Sequence, residues 1–254
     1  PPPAPAPASP FGALGVPGAL CGALEGALGF SRPTPAQAAA LPALMRGESL
    51  GLRACTGSGK TFAFLLPILA DFGAQSGPPS GGPEALVVAP SAELAMQIVR
   101  AARALPGGEG DRGVLALIGG ASLPRQVEAL RRRKPRLVVG TPGRLAQLSR
   151  EGKLSLHGVR TVVLDEADEL VAPGRMSEEM SRIMGHVGRG VDAADRQTVV
   201  VSATLSPTTV RAVQMSGWLP KVPGDGHFVL PIVDPLEGRE RAGAGAGAEA
   251  GAAG

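Results

Sequence analysis

The sequence predicts an α/β domain built on a parallel β-sheet with helices on both faces. The first observation is a series of short runs with apolar, largely β-branched centres: LVVAP at 86–90, VLALI at 114–118, RLVVG at 136–140, TVVLD at 161–165 and TVVVS at 198–202. Strands apolar on consecutive residues belong to a sheet buried on both sides. The second is that segments with helical spacing lie between them, among them AELAMQIVRAARAL, ASLPRQVEALRRR and RMSEEMSRIMGHV. Strands alternating with helices imply parallel pairing. The third is that the sharpest loops, ACTGSGKT, VAPS, VGTPGR, VLDEAD and VVSATL, all fall at the carboxyl ends of these strands, where such folds gather ligands.

In chain order, PPPAPAPASP at 1–10 has the composition of a stiff polyproline linker. Residues 11–222 are expected to form one domain of about two hundred residues, large enough to bury a core. Within it QSGPPSGGPE, at 75–84, reads as a surface loop. From 223 to 254 an extended, low-complexity tail is expected, since GRERAGAGAGAEAGAAG cannot build a core. The net charge of +3 over 254 residues permits a nucleic-acid partner without arguing for one. Cys21 and Cys55, the two cysteines, are far apart and suggest neither a disulfide framework nor a paired metal site. FAFLLPILADF, the longest apolar run, is too short to span a bilayer and contains Pro67, so no membrane partner is expected. With no secretory signal visible, an intracellular compartment is expected, whether nucleus, cytoplasm or organelle.

ESLGLR could end a buried strand, and ACTGSGKT at 54–61 follows it directly. Gly57, Ser58 and Gly59 are small enough for successive backbone N–H groups to point at one anion, and TFAFLLPIL supplies the helix whose N-terminus favours phosphate. Lys60 then neutralises the outer phosphates while the Thr61 hydroxyl ligates magnesium. The strict form of this pattern opens with glycine, and here Ala54 holds that place, followed by Cys55 and Thr56. An ATPase also needs a carboxylate to hold magnesium through water and another to polarise the attacking water. LDEAD offers Asp165 at the strand tip and Glu166 immediately after it. Alone, DEAD could be a solvated helix start. After TVVL, and in one chain with GSGKT, it reads as the acidic half of a nucleotide site.

With these residues in view the chain resembles the DEAD-box RNA helicases of superfamily two, over roughly residues 11–222. GFSRPTPAQ at 29–37 looks like that family's Q motif, spanning 11–39 with Phe11 as the isolated upstream aromatic. The resemblance implies that Gln37 hydrogen-bonds the adenine edge, with Phe30 and Arg32 nearby. ACTGSGKT matches motif I with its alanine, DEAD at 165–168 matches motif II, and SAT at 202–204 matches motif III. Ser202 and Thr204 would couple hydrolysis to RNA engagement. Gly119 and Gly120, with Thr141, Pro142, Gly143 and Arg144 of TPGR, look like RNA-backbone contacts, as do Pro90 and Ser91 of PSAELA.

The resemblance thus implies a RecA-like P-loop NTPase lobe, ATP and Mg2+ as cofactors, RNA held through its backbone with low sequence specificity, and a second RecA-like lobe in the parent protein. Residues 90–95 depart from the family's PTRELA, Ala92 standing where an arginine helps hold RNA, which should weaken that contact. Beyond 223 nothing reads as another set of strands, so weak ATP binding and slow hydrolysis are expected of this chain alone. Two other readings stay open: a non-catalytic RNA- or partner-binding module, and a P-loop ATPase of another family. LRRRKPR at 130–136 is read as a solvated helix end with no assigned role.

Overall fold

The computed structural model describes residues 9–74, 82–110, 112–171, 177–192, 195–215 and 232–235. Most of the expected linker at 1–10, most of the loop at 75–84 and most of the tail lie outside these residues. Among the described residues seven strands form one parallel sheet: β1 (Leu50–Arg53), β2 (Ala85–Val88), β3 (Val114–Leu117), β4 (Leu137–Gly140), β5 (Thr161–Leu164), β6 (Gln197–Ser202) and β7 (Ile232–Val233). Their order is β3-β4-β2-β5-β6-β1-β7.

The apolar runs become strands because both of their faces are covered. Ala85 and Val87 of β2 and Val199 and Val201 of β6 point into one core; Leu86, Val88 and Val200 point into the other. The first core is closed by α1 (Gly18–Gly26), α2 (Pro35–Met45), α3 (Lys60–Ala74) and α4 (Ala92–Arg103), through Leu24, Leu41, Leu65 and Ile98. The second is closed by α5 (Leu123–Arg133), α6 (Pro142–Arg150), α7 (Ala167–Leu170), α8 (Ser177–Met184) and α9 (Pro207–Met215), through Leu130, Leu145, Leu170, Ile183 and Val213. At about 25 cal/mol per Å² of apolar surface, each such Leu or Ile contributes roughly 2 kcal/mol of transfer free energy.

Two features extend the sequence reading. Phe11 is 1% exposed within the first core, so the upstream aromatic is a packing residue. The sheet also runs past the expected boundary at 222. Ile232 and Val233 pair parallel with Gly51 and Leu52, and Arg53 Nη1 donates to Asp234 Oδ2 at 3.2 Å. A strand of two residues between Pro231 and Pro235 carries too little periodicity to be seen in the sequence, but the open edge of β1 supplies its hydrogen bonds.

Register brings the strand ends level. Arg53 lies opposite Ser202, and Val88 lies opposite both Gly140 and Leu164. The loop after β1 therefore lies beside that after β6, and the loop after β2 lies between those after β4 and β5.

Candidate nucleotide and nucleic-acid site

The loop after β1 is shaped by two glycines in the left-handed region, Gly57 at φ +81° and Gly59 at φ +85°. It closes on itself as the Ser58 N–H and Oγ donate to the Cys55 carbonyl at 3.2 and 2.7 Å, and α3 begins at Lys60. Ala54 is buried, and its N–H donates to the Ser202 carbonyl at 3.0 Å, tying this loop to the end of β6. Cys55, Thr56 and Gly57 are exposed, while Ser58, Gly59, Lys60 and Thr61 are half-buried. A cradle of small residues opening onto a helix N-terminus is suited to polyphosphate.

The upstream segment clamps this loop. Thr34 caps α2 reciprocally with Gln37: Thr34 Oγ1 accepts the Gln37 N–H at 3.3 Å and Gln37 Oε1 accepts the Thr34 N–H at 2.9 Å. The same side chains reach the loop, Thr34 Oγ1 donating to the Ser58 carbonyl at 2.6 Å and Gln37 Nε2 to the Gly59 carbonyl at 3.0 Å. The contact is tight, since a Cβ on Gly59 would lie 2.5 Å from Gln37 Nε2. Gln37, expected on adenine, is 4% exposed and also ties down the phosphate loop. Phe30 remains available: it is 42% exposed and meets Phe62 edge-on at 5.3 Å. Arg32 is exposed.

Asp165 follows β5 and is 3% exposed, with its Oδ1 accepting the Glu166 N–H at 3.1 Å. Burial pushes its carboxyl up to about 6, against the opposing pull of the Lys60 charge. A buried carboxylate beside the phosphate loop, with a lysine and a hydroxyl at the start of the adjacent helix, fits a hydrated divalent cation shared with phosphate oxygens. No cluster of three or more His, Cys, Asp or Glu side chains suited to a metal occurs among the described residues. Glu166 takes φ +50°, ψ +52°, a conformation costing a side-chain-bearing residue roughly 1–2 kcal/mol. That turn carries the chain abruptly from β5 into α7.

Asp168, three residues on, has a different task. It accepts hydrogen bonds from the hydroxyls of Ser202, Thr204 and Thr209. Burial alone would push its carboxyl up, but the three hydroxyls and the Ser206 backbone outweigh it and hold the group below the ordinary carboxylate range. Ser202 and Thr204, expected to act in the reaction, are thus bound to Asp168 and join β6 to α7. Sequence reasoning missed Thr209, on α9, for want of any local pattern. It also missed Thr34, although T-x-x-Q ahead of a helix is a capping-box signature.

The expected RNA loops follow β2, which adjoins β5, and β4 and β3 beyond it. Ser91 caps α4, its Oγ accepting the Leu94 N–H at 3.2 Å; it is exposed, and Pro90 is half-buried. Gly119, Gly120 and Gly143 are exposed, and Pro142 is buried. Thr141 Oγ1 accepts the Gly119 N–H at 3.2 Å, and both Arg144 Nη atoms donate to the Ala121 carbonyl at 3.2 and 3.1 Å. Gln126, another residue the sequence did not mark, donates from Nε2 to the Ile118 carbonyl at 3.0 Å. Arg144 therefore braces the 118–121 loop.

A parallel sheet with a phosphate loop after β1, a buried acidic tip on β5 and a hydroxyl clamp from β6 defines a RecA-like P-loop nucleoside triphosphatase lobe. The DEAD/DEAH box helicase family model matches residues 34–213, and the chain belongs to that family. It is 44% identical over 225 residues to the mitochondrial DEAD-box ATP-dependent RNA helicase 47 of Arabidopsis thaliana, across 82% of this chain and 40% of that protein. It is 40% identical over 183 residues to the probable ATP-dependent RNA helicase YfmL of Bacillus subtilis, across 72% and 46%. Among solved structures the yeast DEAD-box splicing factor Prp28 superposes with a TM-score of 0.72 at 30% identity, over 86% of this chain and 50% of that one. A DEAD box protein from Methanococcus jannaschii gives 0.70 at 26% identity, over 88% and 56%. The chain thus spans less than half the length of the two helicases it matches in sequence. No helix among the described residues is long and apolar enough to cross a membrane.

Proposed function

We propose that this chain is the ATP-binding lobe of an ATP-dependent RNA helicase, working in RNA duplex unwinding or the remodelling of RNA–protein complexes. The observation that carries the reading is the single edge of the sheet at which Lys60 and Thr61 begin α3, Asp165 is buried beside them, and Thr34 and Gln37 grip the phosphate loop.

Lys60 binds the outer phosphates, and Thr61 and Asp165 would hold magnesium, Asp165 through water. Magnesium, when bound, neutralises charge on the transferring phosphoryl group. Glu166 accepts a proton from the attacking water, and Phe30, Arg32 and Gln37 border the base. Ser202 and Thr204, through Asp168, keep α7 against the end of β6, so movement of either reaches Asp165 and Glu166. RNA would lie along the 90–91, 118–121 and 141–144 loops and be held through sugar and phosphate, which gives low sequence specificity.

Arginines reaching the phosphates from a second lobe are worth factors of about a thousand or more in rate. This lobe by itself therefore binds ATP weakly and turns it over slowly. Titration of the 254-residue chain with a fluorescent ATP analogue and magnesium tests the site. The expected result is saturable binding, displaced by ATP better than by GTP and lost in Lys60→Ala. Binding unaffected by that substitution would refute the assignment.

A further inference from the structure

The basic run that closes α5 has no part in the site above. Arg131 and Arg132 lie in its last turn, and Lys134 follows as a left-handed cap at φ +48°. All three are exposed, and none pairs with a carboxylate among the described residues. Cations at a helix C-terminus complement its dipole, but the effect fades within the last turn and is worth only a few tenths of a kcal/mol to about 1 kcal/mol per group. It does not account for the surface they border.

Two adjoining hollows of about 240 and 710 Å³ share Arg131 and Lys153 as walls. The larger starts at Leu123 and Pro124, directly after the 118–121 loop, and reaches Arg132; the smaller continues to Lys134. Together they follow the 11 residues of α5, about 16 Å at about 1.5 Å per residue, from the carboxyl edge of the sheet to the opposite edge. One carboxylate, Glu128, lies in the wall, and Lys153 is paired with Glu151 at 2.6 Å. Arg131, Arg132 and Lys134 thus leave an excess of positive charge over an apolar floor that includes Leu123 and Val127. Spaced cations above an apolar strip suit phosphates with riboses and bases between them.

We propose that this groove is an extension of the RNA site: it takes the backbone phosphates of single-stranded RNA leaving the 118–121 loop and carries the strand along α5. The inference rests on the reading that the loops themselves hold RNA.

Fluorescence anisotropy with labelled single-stranded RNAs of about six and about fourteen nucleotides, in ATP and magnesium, tests it on the whole chain. The expected result is that the longer RNA binds wild type roughly tenfold more tightly than the shorter. The double variant Arg131→Glu, Arg132→Glu should keep its affinity for the short RNA, lose the gain from length, and show a log–log salt slope for the long RNA shallower by about 1–2. Retained length gain and salt slope in the variant overturn the proposal and leave the loop reading standing. Loss of polyglutamate binding in the variant, with its RNA length dependence intact, also overturns it and assigns the groove to an acidic protein segment. Wild type binding neither RNA overturns the loop reading and this one with it.

Discussion

At the scale of single residues the site works against the stability of its own fold. Asp165 is ionised at neutral pH although burial raises its carboxyl from an ordinary value of 3.8 to about 6. A raised folded-state value means that the stability from protonation is complete below the unfolded value and is lost as pH rises through 6. Above that, the buried charge costs the ligand-free lobe about 3 kcal/mol. The expected consequence is that Asp165→Asn raises the melting temperature of the ligand-free protein at about pH 7.5, the advantage shrinking as pH falls from about 6 toward 4. Scanning calorimetry across that range decides it; an equal or lower melting temperature at about pH 7.5 would contradict the burial argument. Lys60, Thr61, Asp165 and Glu166 could be proposed from the sequence because they stand in compact runs, GSGKT and LDEAD, of adjacent letters. Thr209 and Gln126 were not. Each acts on a group far off in sequence, Asp168 in one case, or through a helical turn onto a backbone carbonyl, Ile118 in the other, and only the fold brings them together.

Among the elements, the strands were the easiest to read, since burial on both faces leaves β2 (ALVV) and β4 (LVVG) without a polar side chain and β6 with an apolar centre. Helices α1 and α2, rich in alanine, glycine and proline, carry no clear polar face and were not distinguished. Helix α2 nevertheless has a strong start signal in Thr34 and Gln37, and its cap is also the clamp on the phosphate loop. One substitution therefore reports on both. Thr34→Val removes the cap and the bond to Ser58 and should cost roughly 1–2 kcal/mol of stability while weakening ATP binding. Thr34→Ser should restore most of both. Urea denaturation and nucleotide titration on the same variants check this. A stability loss with unchanged ATP affinity would mean that the cap is structural and the clamp irrelevant to the nucleotide. The edge strand β7 escaped notice for the opposite reason: it is defined by the open side of β1 and the Arg53–Asp234 pair rather than by its own two residues.

Across the whole molecule, one sheet carries the candidate nucleotide residues after β1, β5 and β6, where Asp168 and its hydroxyls also lie, and exposed loops suited to RNA after β2, β4 and β3. That arrangement does not by itself supply positive charge opposite the phosphates from outside the lobe, the part that a second lobe would contribute. These residues are therefore expected to bind ATP weakly and not to complete its hydrolysis alone. ATP turnover by the purified 254-residue chain, with and without single-stranded RNA and with Glu166→Gln as the background, tests it most directly. The expected result is turnover close to that of the Gln variant, whether or not RNA is present, under conditions where ATP is bound. RNA-stimulated hydrolysis at the rate of a two-lobed helicase, abolished by Glu166→Gln, would contradict it and show that the chain assembles a complete site on its own.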